Sequence, residues 1–348
     1  IFSTIFTVIV YLCIGPFLAI PRNANVAYEM GVKPFLHGSA QQSSLSLFIF
    51  SIVFFALVFL VSLNPDKMSK YLGRWITPVL LISMVVLCVV GIIKLAGHPS
   101  LAPVGNYKTH SFFQGFIDGY STMDALASLA FGIVILTAVK RRGVKDKKQL
   151  TSYTLKAGVI AGAILALVYV SLGFIGVKMA SEGTFSNGTD VLTATSTLVL
   201  GQGGKALLGF IFTLACFTTV VGLTTACGEY FSALIPKFSY KTVVITITVI
   251  GFILSNLGLN LILKFSVPFL EMAYPITIVL VILTFFHKLF RGSKRVYGFA
   301  LFFTGIFSLF EGLQGFGLSL GPVKTFTQAL PLASVGLEWV VPALVGIV

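Results

Sequence analysis

Runs of about 20 apolar residues, nearly free of charge, recur along almost the whole chain, and no other feature narrows its fold so far. Leu45–Leu63 is typical: nothing in it carries a charge. A helix of that length crosses the hydrocarbon core of a bilayer with all its backbone hydrogen bonds made internally. A membrane β-barrel would instead show alternating strands of about ten residues, and that pattern is missing. Composition agrees, with 10% charged residues against about 25% in soluble domains. The chain reads as an all-α integral membrane protein, a polytopic helical bundle of one transmembrane domain over residues 1–348. No room is left for a soluble domain.

About ten spans follow from the apolar runs. They are Ile1–Ala27, Leu45–Leu63, Ile76–Leu95, Phe112–Val139, Leu155–Val177, Lys205–Leu234, Thr242–Leu263, Val267–His287, Val296–Leu318 and a last one from near Ala333. Gly15-Pro16 and Pro21 are expected to kink the first span or end it early, so Arg22 and Glu29 share a face only if the helix survives Pro21. Residues 178–203 read as a connector, in which Val191–Leu200 is too short to span and lies on or dips into the surface. Gly158 and Gly162 form a small-xxx-small packing face. Both chain ends fall inside apolar runs, which predicts a piece of a longer protein.

A net charge of +13 suggests nucleic acid in a soluble protein. Here the basic residues sit in short loops, so the positive-inside rule accounts for them and no nucleic-acid partner is expected. With Lys140–Lys148 in the cytoplasm, 16 of the 24 basic residues fall on the inner side. The first span then runs outward, and a cytoplasmic amino terminus requires an even number of spans before it. Cys13, Cys88, Cys216 and Cys227 lie in apolar runs without metal or CxxC spacing, and the four histidines are scattered. No cofactor, disulfide or enzyme constellation follows from them.

Polar groups inside the spans are the candidates for function. Gln114–Ile135 begins with Asp118 and Asp124 around Gly119, Tyr120, Ser121, Thr122 and Met123, and only then turns apolar. Each intramembrane acid costs about 2.5–3.5 kcal/mol on insertion scales, so it needs a cavity or a partner. Interrupted, acid-bearing backbone marks a transporter binding site; the plain alternative is an outer loop and the first turn of an ordinary helix. In the sixth span Thr218, Gly222, Thr225 and Glu229 share one helix face with Thr224 beside it. Hydroxyl and carbonyl oxygens suit a small alkali cation, whereas membrane threonines also bond back to their own helix. Asp118, Glu229 and Glu271 are candidates for gating or proton binding, and Glu271 reads equally as an interfacial acid. Glu311, among Gly312, Gly315 and Gly317, points to close helix packing.

Four segments carry a resemblance. Gly15–Arg22 with Glu29–Gly31, Gly115–Leu126 with Phe131–Val134, Thr218–Phe231 and Phe269–Ile276 together resemble the branched-chain amino acid:cation symporters of bacteria. The resemblance implies an inverted-repeat, leucine-transporter-like fold of about twelve spans, in which the first span here is the third. Residues 1–97 would be the remainder of the first repeat, 112–290 the second, and 296–348 two additional spans, the last one cut. It implies a substrate site at Gly119, Tyr120, Ser121, Thr122, Met123 and Asp124 and a sodium site at Thr224 and Thr225; Phe17 is a further candidate for the pocket lining, and Thr218, on the same helix face, for the cation. The implied function is import of leucine, isoleucine or valine across the bacterial cytoplasmic membrane, with Na+ as the coupling ion. Proton coupling, or another neutral amino acid, is the alternative within transport. A membrane enzyme is the alternative outside it, and the scattered histidines argue against that. Oligomeric state is not readable from the sequence.

Overall fold

The computed structural model describes residues 2–38, 43–63, 65–141, 143–144, 146–318, 321, 327 and 329–347, side chains at 2–3, 65–76, 133–134, 137–138 and 141 excepted. The inner-loop charges of Lys67, Lys70, Arg74, Arg141, Arg142 and Lys145 therefore lie outside the described residues. Every element among the described residues is helical. Among the described residues, seven helices are long and apolar enough to cross a membrane: Thr4–Phe35, Ser44–Ser62, Thr77–Leu95, Lys147–Met179, Gly188–Leu234, Leu259–Phe285 and Lys294–Gly315. The protein is a multi-pass, all-α membrane protein.

α1 (Phe2–Leu12) passes through a wide turn at Cys13–Phe17 into α2 (Ala19–Gly31). Gly15 leaves helical geometry there (φ −93°, ψ −123°), and the Leu18 N–H reaches five residues back to the Cys13 carbonyl. Pro16 has no N–H to give to the Tyr11 carbonyl, and the Cys227 thiol takes that carbonyl at 3.5 Å. Pro21 does not end the helix as expected. It sits in the first turn of α2, where an N–H has no partner to lose, so Arg22 and Glu29 ride on one continuous helix.

α3 (Ser44–Ser62) begins at a Ser43 cap, whose hydroxyl accepts from the Leu45 N–H at 3.2 Å. α4 spans Pro65–Leu95. α5 (Ser111–Asp118), a tight turn at Gly119–Thr122 and α6 (Asp124–Arg141) form the interrupted span. α7 (Lys147–Met179) is capped by Asp146, which accepts from the Gln149 N–H at 3.0 Å.

α8 (Gly188–Leu234) absorbs most of the expected connector. Asn187 caps it through the N–H groups of Thr189 and Asp190, and the helix then breaks at Gly201 (φ 68°, ψ −162°), a conformation open essentially to glycine alone. Val191–Leu200 is thus the first arm of a bent helix. α9 (Tyr240–Ser255) ends earlier than expected at the Asn256–Gly258 turn, where Gly258 has φ 82°, so Leu263 belongs to α10 (Leu259–Phe285). α11 covers Lys294–Gly315. The last helix, α12, covers Val340–Val345; Ala333–Val335 is a short turn bounded by left-handed Leu332 and Gly336 instead of the start of a span.

The helices fall into two compact units, residues 1–102 with 130–262 and residues 103–129 with 263–348. In the first, α2 runs antiparallel to the second arm of α8: the Thr213 hydroxyl donates to the Ala27 carbonyl at 3.2 Å, while Gly15 faces Cys227. The Asn25 amide donates to the Ser255 carbonyl of α9 at 2.7 Å, and the Tyr240 hydroxyl to the Ser62 carbonyl at the end of α3 at 2.7 Å. Phe54, Phe55, Phe217 and Phe252 interlock edge to face among α3, α8 and α9. The second unit packs around Val279, Leu283, Ala300, Leu301, Leu337, Trp339 and Ala343, with Phe113 of α5 against them.

Candidate functional site

The interrupted span supplies the first candidate, within the second unit. α5 stops at Asp118, Gly119–Thr122 tightens into a 3-10 turn, and Met123 takes a left-handed conformation (φ 66°, ψ 6°) before α6 starts at Asp124. A side chain other than glycine held there costs about 1–2 kcal/mol, and Met123 is only 6% exposed, so packing enforces the break. Its N–H reaches the Tyr120 carbonyl at 3.2 Å, and its own carbonyl accepts from the Ala127 N–H at 2.9 Å. Of the other predicted residues, Tyr120 is buried, Gly119, Ser121 and Asp124 are half-buried, and Thr122 is exposed with its hydroxyl on the Gly119 carbonyl at 2.8 Å.

Tyr120 stacks on Tyr274 of α10 with ring centroids 4.6 Å apart and meets Phe116 edge-on at 5.6 Å. Both tyrosine hydroxyls are buried without an aligned hydrogen bond. The Tyr274 hydroxyl lies beside Thr122 and the backbone of Met123 and Ala125, at the start of α6. The break therefore presents first-turn N–H groups, with the Tyr274 hydroxyl beside them, at the positive end of a helix dipole.

Asp118 is built into an outer latch. Tyr107 donates to its Oδ2, the Gln114 amide donates to its Oδ1 at 2.9 Å, and Asn106 donates to Gln114 at 3.0 Å. The bond to Asp118, and secondarily burial, pushes the Tyr107 hydroxyl up to about 12. With both oxygens engaged, Asp118 reads as a tether between connector and helix.

The second candidate lies in the first unit. Thr224 is fully buried and its hydroxyl has no hydrogen-bond partner. The antiparallel register of α2 and α8 puts it level with the wide turn around Pro16–Leu18. Thr225 is half-buried beside it, whereas Thr218 bonds back to the Ala215 carbonyl at 2.8 Å, the alternative weighed for membrane threonines. Phe17, on the wide turn, is 47% exposed, and Glu229 is exposed.

A polar cavity of about 400 Å³ in the same unit is lined by Glu29, Lys33, Asp190, Thr193 and Lys205, and none of the predicted residues reaches it. Sequence reasoning passed over Tyr274, Glu338 and Trp339. Glu338 carried a usable signal, an acid set in an apolar stretch. Tyr274 and Trp339 carried none, since aromatics are common at such positions.

Comparison with known proteins gives a consistent answer. The profile of a family described as "Branched-chain amino acid transport protein" matches residues 1–348. The chain is 44% identical over 348 residues to the branched-chain amino acid permease BrnQ of Bacillus subtilis, covering 99% of this chain and 78% of that protein. It is 43% identical to the permease BraB of the same organism, covering 100% and 78%. A branched-chain amino acid transport system 2 carrier protein of Pseudomonas aeruginosa is 40% identical, covering 99% and 77%.

Proposed function

Because the chain belongs to the branched-chain amino acid transport protein family, we propose that it is a secondary active symporter carrying leucine, isoleucine or valine inward across the bacterial cytoplasmic membrane, coupled to sodium. It is a transporter and not an enzyme; no bond need be made or broken.

The observation that carries the reading is the broken helix at Gly119–Met123. A zwitterion leaving water needs fixed partners for both ends. Its carboxylate fits the first-turn N–H groups of α6, beside the Tyr274 hydroxyl, and its ammonium fits the carbonyl end of α5. Tyr120 and Met123 offer apolar surface for a branched side chain, and Phe17 stays a candidate for the same role. Thr224 and Thr225 are the proposed sodium ligands: a buried hydroxyl with no partner is a group waiting for one. Leucine, isoleucine and valine differ by no more than one methylene or its placement, worth about 1–3 kcal/mol in an apolar pocket, so a preference among them is small.

Uptake of labelled leucine by the complete gene product in proteoliposomes, with sodium and pH gradients imposed separately, tests this. Uptake driven by the sodium gradient and competed by isoleucine and valine is expected. Uptake driven by protons alone would remove the sodium role of Thr224 and Thr225, and no uptake under either gradient by folded protein would remove the function.

A further inference from the structure

The second unit gathers three carboxylates from three separate elements: Glu271 of α10, Glu311 of α11 and Glu338 in the turn leading into α12. All are withdrawn from solvent to some degree, and each is an electrostatic neighbour of another: Glu338 of both Glu271 and Glu311, and Glu271 of Glu311. α10 and α11 approach through glycine. A Cβ at Gly315 would stand 2.9 Å from Glu271 Oε2, and one at Gly312 would stand 2.7 Å from the Pro268 carbonyl. The Glu271 carboxylate is thereby held against the α11 backbone, one turn from Glu311.

Among the described residues no ion pair reaches these acids, and Lys324 lies outside those residues. The ion pairs among the described residues are Lys33–Glu29 and His98–Glu182, both elsewhere. Lys264, two turns before Glu271 on α10, is exposed; Asp118 of α5 is tied to Tyr107 and Gln114; Asp124 of α6 adds negative charge beside Tyr274. Nor are the acids gathered as metal ligands are: among the described residues, no three His, Cys, Asp or Glu side chains are placed to hold a metal ion.

A second observation is independent of charge. The Tyr120 hydroxyl, the Trp339 indole N–H and Glu338 Oε2 are all buried without an aligned hydrogen bond, and Tyr120 and Trp339 are each 5% exposed. Tyr120 faces the cluster, with Glu311, Tyr274 and Glu271 as its electrostatic neighbours and the Trp339 indole N–H beside its hydroxyl. Buried donors and acceptors left unpaired side by side form an incomplete network, and each orphan costs about 1–3 kcal/mol. A proton on a neighbouring carboxyl supplies the donor that Glu338 Oε2 lacks and removes one of three mutually repelling charges.

We propose that Glu271, Glu311 and Glu338 form a proton-binding site, and that Tyr120 links its occupancy to the broken helix. When a carboxyl is protonated it donates to a neighbouring carboxylate, and the network closes on itself. When the proton leaves, the freed carboxylate accepts from the Tyr120 hydroxyl, drawing on the turn that ends at Met123. The linkage to leucine rests on the transport reading above; proton binding does not.

The test is a proton count on the purified chain in nanodiscs. A pH jump in weak buffer, read with an indicator dye, should release about one proton per chain more from the native protein than from Glu311→Gln. An infrared pH-difference spectrum of the native protein should show a protonated-carboxyl band that Glu311→Gln, Glu271→Gln or Glu338→Gln shifts or removes. Tyr120→Phe should keep the band but flatten the pH dependence of leucine affinity. A native protein with no titrating carboxyl band overturns the proposal whether or not any variant folds. So does a band unchanged in all three glutamine variants. Bound sodium lost in Glu311→Gln, with no carboxyl band in the native protein, overturns it in favour of a metal ion. Failure of leucine to bind, with the proton count intact, would sink the transport reading alone.

Discussion

A hydroxyl buried without a partner costs about 1–3 kcal/mol, and Thr224 keeps one in the middle of α8. Thr224→Val removes that hydroxyl at nearly constant shape. The apo protein should become no less stable, and by as much as about 1 kcal/mol more so, while sodium no longer raises its melting temperature. A purely structural threonine would give no such split; an unchanged sodium response in thermal melts would end the assignment. Thr225→Val should likewise abolish sodium stimulation of uptake with expression intact. Tyr107 makes a prediction about pH. Its folded-state value is raised, so its bond to Asp118 contributes stability below the ordinary tyrosine range near pH 10, and that contribution is lost as pH rises through about 12. Ultraviolet titration should show a late tyrosinate step that Tyr107→Phe removes, with no step gained near pH 10. At this scale the sequence was readable where chemistry was unusual for the membrane. Asp118, Asp124, Glu271 and Thr224 stood out in apolar runs, but which oxygens were already engaged depends on partners such as Tyr107 that no local pattern reveals.

Most helices were legible in place and unclear at their ends, and the tenth expected span, from near Ala333, is a short turn instead. Apolar length alone places the spans, but a break depends on a few backbone angles. The interruption at Gly119–Met123 was readable because glycines and acids cluster there, although the left-handed residue turned out to be Met123 and neither glycine. In the sequence Gly201 is one more residue of the expected 178–203 connector. In fact it joins the two arms of α8 at φ 68°, ψ −162°. Gly201→Ala should cost on the order of 1–3 kcal/mol and lower the melting temperature, whereas Gly158→Ala, with open space around the added methyl, should not. Equal effects of the two substitutions would mean that the bend is not enforced by the backbone. Pro21 misled for a physical reason: a proline forbids helix only when the N–H it lacks was needed, and the wide turn before α2 had already released it.

For the molecule as a whole, charge bias in the loops predicts sidedness. The native cysteines are all buried, so single added cysteines report cleanly. Gln149→Cys, exposed at the start of α7, should react with an impermeant maleimide only from the cytoplasmic side, and Gly183→Cys, exposed beyond its far end, only from outside. Labelling of both from one face would refute the alternation of spans. The class of protein was legible from composition and span length, because the bilayer admits so few solutions. The trio of Glu271, Glu311 and Glu338 was not, because its members come together only through the packing of α10, α11 and the turn before α12.

The stacking of Tyr120 on Tyr274 also sets an order of events during synthesis. Tyr274 is made 154 residues after Tyr120, a delay of roughly 8–30 s at ribosomal speeds. Throughout that interval the broken segment, with its two acids and unpaired peptide groups, has no stacking partner and partitions poorly into lipid by itself. It must wait in the translocon or at the water interface until α10 arrives, so ribosome-bound chains truncated before residue 274 should leave Gly119–Met123 open to water-soluble reagents and longer ones should close it.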